Sequence, residues 1–133
     1  MKTRLLRNIL EFIYKNYKIK KNIEVSLEAN PEDILYKKLK EYKNMGINRL
    51  NIGVQSFSDY VLNFLGRNHD KKQAISSIFK SSEYFENTGI DLIYGIPGEI
   101  KEKFENQLIF TRELPIKHIS IYEFEYQSNF KKN

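Results

Sequence analysis

Apolar positions along the chain follow two spacings, and the two alternate from one end to the other. Four segments repeat apolar side chains at intervals of three and four residues, which predicts amphipathic helices. These are residues 4–17, 32–45, 71–86 and 101–113. Four shorter apolar or alternating runs, bounded by polar and glycine-bearing residues, predict strands. These are residues 23–28, 49–54, 90–95 and 118–124.

Capping residues support these boundaries. Pro31 can be the first helical residue after a strand, Gly46 suits a C-cap, and Asp70 suits an N-cap. Ser58 or Asp59 can cap a further short helix that runs to Leu65. The last residues, Gln127 to Asn133, are expected to fray.

Three of the predicted helices have a clear apolar face. The core-facing residues expected on them are Leu5, Leu6, Ile9, Ile13 and Tyr17 on the first, Ile34, Leu35, Leu39, Tyr42 and Met45 on the second, and Ile75, Ile78, Phe79 and Phe85 on the third.

The alternation of strands and helices predicts an α/β fold with a parallel sheet and right-handed crossovers. Residues 1–133 fit one domain, or part of one. Four strands are too few to close a parallel barrel of the TIM type. They could form an open sheet or an arc of a larger barrel, and the sequence pattern leaves both open.

Composition narrows the function classes. The chain has no cysteine and two histidines, so it offers no cysteine-ligated cluster, and a histidine metal site is not expected. The net charge of +5 suggests nucleic-acid binding as one hypothesis. The lysines are dispersed among acidic residues, however, which favours a solvated surface and no nucleic-acid partner. No apolar run is long enough to span a membrane, and Arg7-Asn8 interrupts any signal-peptide core, so a cytoplasmic location is expected.

Ligands of parallel α/β folds bind where the strands end, and several polar residues are expected there. Glu28 and Gln55 end adjacent strands and suit hydroxyl or ammonium groups, or they are hydrogen-bonding rim residues without a ligand. Arg67 could fold back over the rim and bind a carboxylate, or it is a surface arginine. Asp91 should point inward, where it binds something or forms an ion pair with a neighbouring strand. His69 fits a polar loop role better than a general base, and no catalytic triad is evident.

Four motifs carry a family resemblance. They are Ser26-Leu-Glu-Ala-Asn-Pro31, Asn48-Arg-Leu-Asn-Ile-Gly-Val-Gln-Ser-Phe57, Leu65-Gly-Arg-Asn-His69 and Ile90-Asp-Leu-Ile-Tyr-Gly-Ile-Pro-Gly98. In order and spacing they resemble the radical S-adenosylmethionine (SAM) enzymes of the oxygen-independent coproporphyrinogen III oxidase family. The Leu-Gly-Arg-x-His form is closer to the haem-chaperone (HemW-like) branch. The resemblance covers nearly the whole chain.

The resemblance implies an arc of a partial (βα)6 barrel, in which the four strands correspond to the third to sixth. It implies SAM contacts at Glu28, Gln55, Arg67 and Asp91, with Arg67 on the methionine carboxylate. The other three would serve the polar amino-acid and ribose groups, and backbone from Tyr94 to Ile96 would flank the adenine.

The departures from the family concern its first two strands and its C-terminal domain. The CxxxCxxC loop that holds the 4Fe-4S cluster and the glycine-rich segment after the second strand have no counterpart in this sequence. We therefore expect a fragment that carries part of the SAM site, belongs to an oxidoreductase or haem-binding parent, and is inactive alone. The alternative is a non-catalytic binding module, or half of a split enzyme whose partner carries the cysteines.

Overall fold

The computed structural model describes residues 3–125, and its helices and strands alternate along the chain. The α-helices are α1 (Thr3–Asn16), α2 (Tyr36–Asn44), α3 (Asp59–Phe64), α4 (Lys71–Ser82) and α5 (Lys101–Phe110). The strands are β1 (Ser26–Ala29), β2 (Arg49–Gln55), β3 (Asn87–Tyr94) and β4 (His118–Glu123). Two 3-10 turns lie at Pro31–Asp33 and Thr111–Glu113.

The four strands form one sheet in the order β1-β2-β3-β4, and every neighbouring pair is parallel. Because each strand pairs with the next one in the chain, the helices between them act as crossovers. This confirms the predicted α/β fold of parallel βα repeats. It also brings all four strand ends to the same edge of the sheet.

The two faces of the sheet differ in chemistry because side chains alternate along each strand. The helices cover the apolar face, where Ile52 and Val54 of β2 and Ile90 and Leu92 of β3 are buried. The other face carries mostly polar side chains, and we call it the polar face. Its members include Glu28, Arg49, Asn51, Gln55, Asn87, Asp91, His118 and Ser120.

The core consists of two clusters on the helix-covered side. The first joins α1, α2 and Leu50 of β2 around Leu39 and Phe85. The second joins β2, β3 and α4, with Phe104 and Leu108 of α5 packed against it. The central strands β2 and β3 are therefore held from one side by apolar packing, and their polar face is left for other contacts.

The first strand is shorter than predicted, because residues 23–25 are not paired as a regular strand. The Asn48 side chain takes the place of a neighbouring backbone there. Its Oδ1 accepts from the Val25 N–H at 2.8 Å, and its Nδ2 donates to the Ile23 carbonyl at 2.8 Å. A side-chain amide offers the same donor and acceptor as a peptide group, and it adds to the backbone bonds that the Val25 carbonyl accepts from Asn48 and Arg49.

The helix predicted over 32–45 is interrupted. A 3-10 turn occupies Pro31–Asp33, the backbone is extended at Ile34 and Leu35, and α2 begins at Tyr36. The extended step turns Ile34 into the core, where it is buried. The predicted core positions Leu39, Tyr42 and Met45 are buried as well, but Leu35 is 54% exposed.

Further predicted core positions are wrong in orientation, among them Tyr17 directly after α1, which is 63% exposed. Leu5 and Ile9 of α1 are 56% and 46% exposed, while Leu6 of the same helix is buried. In α4, Ile78 is buried but Phe79 is 48% exposed.

The predicted helices over 71–86 and 101–113 end earlier than expected. They end at Ser82 and at Phe110, and a 3-10 turn follows the second of them. The fraying expected for Gln127 to Asn133 lies outside the described residues.

Candidate functional site

The point where β2 ends gathers three polar side chains above Gly53. A Cβ placed on Gly53 would lie 3.0 Å from Gln55 Nε2, 3.3 Å from Arg67 Nη2 and 3.4 Å from Asn30 Oδ1. The glycine therefore leaves room that an alanine would fill. Two of the predicted site residues, Gln55 and Arg67, are brought together here.

Arg67 reaches this point from the loop between α3 and α4. Its Nη2 donates to Asn30 Oδ1 at 2.9 Å and to the Gly53 carbonyl at 3.1 Å. Its Nε is buried and has no hydrogen-bond partner among the described residues. The guanidinium is thus fixed by two neutral acceptors, and it keeps a buried donor free for an anionic group.

Asp91 lies deeper on the polar face and bonds to β2. Asn51 Nδ2 donates to Asp91 Oδ2 at 2.7 Å, while Asp91 Oδ1 and Asn51 Oδ1 are buried without partners in the described part of the chain. The contact that sequence reasoning offered as an ion pair is therefore an amide–carboxylate hydrogen bond. Buried acceptors on two neighbouring strands suit a ligand that brings hydroxyl or ammonium donors.

Glu28 is further from Gln55 than the sequence indicated. Its partner in the β1–β2 register is Asn51, and Gln55 lies four residues beyond that position. The two residues are therefore not at equivalent places, because β2 extends past the end of β1. Glu28 is exposed and adjoins the Asn51–Asp91 pair across the sheet.

Gln55 has an unusual backbone. Its φ is +67°, and it is the one non-glycine residue with positive φ between residues 3 and 125. The Ser56 N–H donates to the Val54 carbonyl at 2.8 Å, so Gln55 is the central residue of a γ-turn. The β2–β3 register shifts over the same stretch, between Ile52 and Gln55.

His69 is buried and ties the loop that carries Arg67 to the sheet. Its Nε2 lies 3.1 Å from the Val54 carbonyl, and its Nδ1 lies 3.3 Å from Glu32 Oε2, too poorly aligned for a hydrogen bond. Because a carbonyl can only accept, we assign the Nε2 proton to this contact. The predicted polar loop role of His69 agrees with this position.

Several residues at this edge escaped sequence reasoning. Asn51 could have been found, since it alternates with Gly53 and Gln55 and must share their face. Gln107 could not, because it lies on α5 and meets Ser56 and Phe57 through the tertiary fold alone. Residues 3–125 contain no group of three or more histidine or acidic side chains arranged to hold a metal ion.

The fold and the polar edge together define a class. A sheet of parallel βα repeats whose strand ends gather an arginine, a glutamine, a carboxylate and an amide is an arc of the α/β-barrel type. Residues 2–108 match the Radical SAM superfamily, and the chain belongs to that family.

Individual relatives agree with this assignment. The chain is 36% identical over 129 residues to the "Heme chaperone HemW" of Buchnera aphidicola subsp. Acyrthosiphon pisum, covering 97% of this chain and 34% of that protein. It is 35% identical over 119 residues to the "Heme chaperone HemW" of Bacillus subtilis, covering 88% of this chain and 31% of that protein.

A solved structure supports the same fold. The coproporphyrinogen III oxidase of Escherichia coli, titled a radical SAM enzyme, superposes with a TM-score of 0.85 at 26% identity, covering 96% of this chain and 30% of that one. The chain thus spans about a third of the length of these relatives. The predicted arc of a radical SAM barrel is confirmed. Within residues 3–125, no helix has the length and apolar character needed to cross a bilayer.

Proposed function

We propose that this chain provides one side of a SAM site in a radical SAM protein related to haem chaperones and coproporphyrinogen oxidases. Arg67, Gln55, Asp91 and Glu28 would face the ligand. The observation that carries the proposal is the buried Arg67 Nε, which has no partner among the described residues, beside the Gln55 amide, where the missing side chain of Gly53 lets both groups approach the end of β2. On the same proposal, residues 1–133 form a single partial-barrel domain, and the protein is located in the cytoplasm.

The residues present suit the chemistry of SAM. Its carboxylate needs a charged donor, which Arg67 supplies, and its ammonium and hydroxyl groups need acceptors, which Asp91 Oδ1 and Asn51 Oδ1 supply. Gln55 offers both a donor and an acceptor at the same edge. When bound in its family, SAM supplies a 5′-deoxyadenosyl radical after reductive cleavage. The residues named here would bind and orient the ligand.

The residues present do not suit the 4Fe-4S cluster of the family. Such clusters are held by cysteine thiolates, and the 133 residues contain none. We assign no redox step to this chain and propose that it is inactive alone. The names of the relatives mention haem and coproporphyrinogen. On the same proposal, binding of porphyrin or haem is a property of a larger protein and not of these residues alone.

The SAM proposal is tested by calorimetric titration of SAM into the purified chain, into Arg67→Ala and into Arg112→Ala. Arg112 is an exposed arginine in the second 3-10 turn and serves as the matched control. Loss of a charge-assisted contact should cost about 1.5–3 kcal/mol, or roughly 10- to 100-fold in Kd, for Arg67→Ala and nothing measurable for the control. Equal, negligible heat in all three would overturn the proposal.

A second candidate is half of a split enzyme, and the outer edge of β1 favours it. Within residues 3–125, β1 pairs with β2 and with no other strand, so a further strand could add there. A polypeptide that carries CxxxCxxC would then complete the rim. The test is co-expression of such a half with the chain, followed by SAM titration. Unchanged affinity and no co-purification would contradict it.

A further inference from the structure

The γ-turn at Gln55 needs support from elsewhere in the molecule. A central residue with φ near +67° is strained for any side chain other than glycine, by about 1–3 kcal/mol. Such a conformation persists where the surroundings over-determine it. The support should therefore appear as contacts to the residues on either side of the turn.

Those contacts come from α5, more than fifty residues further along the chain. Gln107 Oε1 accepts from Ser56 Oγ at 2.8 Å and from the Phe57 N–H at 2.5 Å. The Ser56 hydroxyl in turn accepts from the Ser58 N–H at 3.1 Å. Gln107 is 8% exposed, and Ser56 and Phe57 are buried as well, so water competes little for these bonds.

The orientation of the Gln107 amide is fixed by its other end. Its Nε2 donates to Glu99 Oε1 at 2.8 Å. With two donors on one side and a carboxylate on the other, only one of the two amide orientations satisfies every partner. Glu99 therefore keeps the oxygen of Gln107 directed at Ser56 and Phe57.

We propose that Gln107 is a positioning residue for Gln55: its amide, oriented by Glu99, holds the γ-turn that places the Gln55 side chain beside Arg67 above Gly53. The inference goes beyond the SAM proposal and rests on it in one respect, that Gln55 contacts the ligand. The hold on the turn itself requires no ligand.

The contact can be tested by exchanging its donor and acceptor. In Gln107→Glu, measured at pH 8 to disfavour a shared proton, two carboxylates would face each other, and their repulsion should weaken the support of the turn. In the double variant Gln107→Glu/Glu99→Gln, the amide on residue 99 donates to the carboxylate on residue 107, and net charge is unchanged. Gln73→Glu, on the exposed face of α4, is the matched control.

Two readouts separate the turn from the ligand. Hydrogen exchange of the Phe57 amide and the HN–Hα coupling of Gln55, both by NMR, report the turn without ligand. SAM titration reports the site. In Gln107→Glu we expect Phe57 exchange at least about tenfold faster and a Kd about tenfold weaker. The double variant should return both to within about threefold of the parent chain, and the control should leave both unchanged.

An unchanged Gln55 coupling and unchanged Phe57 exchange in Gln107→Glu would overturn the proposal, as would a failure of the double variant to restore them. If the parent chain binds no SAM, the SAM proposal fails, and the NMR readouts still decide the role of Gln107. If Gln107→Glu does not fold, Gln107→Met, which keeps the side-chain length without polar atoms, takes its place. Faster Phe57 exchange in a folded Gln107→Met chain supports the proposal, and parental exchange contradicts it.

Discussion

At the scale of single residues, two glycines decide where polar side chains of the site can lie. Because Gly53 has no Cβ, the side chains of Gln55, Arg67 and Asn30 can approach β2 closely. Gly89 does the same for Asn51, because a Cβ at position 89 would lie 2.5 Å from Asn51 Oδ1. Both are strand glycines that permit a close approach of neighbours.

The Gly89 contact predicts a coupling between two positions. Gly89→Ala should destabilise the chain by about 1–3 kcal/mol, because the added methyl group displaces Asn51 from Asp91. In an Asn51→Ala background the same change should cost clearly less, since the atom it meets is gone. Urea unfolding of the four variants gives the coupling energy. Equal costs in both backgrounds would contradict this reading.

At the scale of secondary structure, each helix of the second half is anchored by polar contacts to a loop near the site. Two carboxylates cap α4: Asp70 Oδ1 accepts from the Gln73 N–H at 2.7 Å, and Asp59 Oδ1 accepts from the Lys71 N–H at 2.8 Å. The α5 helix is held through Gln107 and Glu99. The caps thus fix the start of α4 directly after the Arg67 loop, and Gln107 joins α5 to the residues that follow Gln55.

Glu99 gives this anchoring a dependence on pH. Burial raises the pKa of its carboxyl above the usual 4.5, against the opposing effects of the Gln107 hydrogen bond and of Lys103. The folded chain therefore holds this proton to higher pH than the unfolded chain does. The contribution of Glu99 to stability is full below pH 4.5 and declines as pH rises through its raised pKa.

Comparison with Glu99→Gln, which does not titrate, isolates this effect. The free energy of unfolding of the parent chain minus that of the variant should be larger near pH 4 than at pH 7, as measured by urea unfolding. Glu102→Gln, at an exposed position on α5, is the control for removal of a carboxylate. A difference that grows as pH rises would show that the pKa of Glu99 is lowered by folding.

At the scale of the whole molecule, stability and site are divided between the two faces of one sheet. The two apolar clusters lie on the helix-covered side and bury β2 and β3. The polar face contributes little apolar burial and carries unpaired buried atoms. The fold is thus held from one side, and the other side is free to carry groups that cost stability but suit a ligand.

This division predicts unequal costs for two isoleucines. Ile90→Ala, in the fully buried centre of β3, should lower the free energy of unfolding by about 2–5 kcal/mol. Ile121→Ala, on β4 and 47% exposed, should lower it by less than about 1 kcal/mol. Chemical unfolding of both variants checks the difference. Similar losses in the free energy of unfolding would contradict this division between the two positions.

Elements that depend on local pattern were predictable. The four parallel strands, the Asp70 cap and the Gly46 C-cap follow from spacing and backbone preference, and the structure has them. Which side of a helix faces the core was less predictable, as the exposed Leu5 shows. When apolar residues lie on several sides of a helix, their spacing does not decide which side is buried. Register was not predictable, since the offset between Glu28 and Gln55 depends on how far each strand extends.

The sequence by itself determined the order of elements, the parallel sheet and the absence of any cysteine that could hold a cluster, because these follow from short-range periodicity and composition. The tertiary structure decided the γ-turn at Gln55, the bond between Asn51 and Asp91, and the hold of Gln107 on the turn. The Asn51–Asp91 and Gln107–Phe57 bonds join residues 40 and 50 positions apart, so these buried donors and acceptors are paired only after the strands and helices have packed.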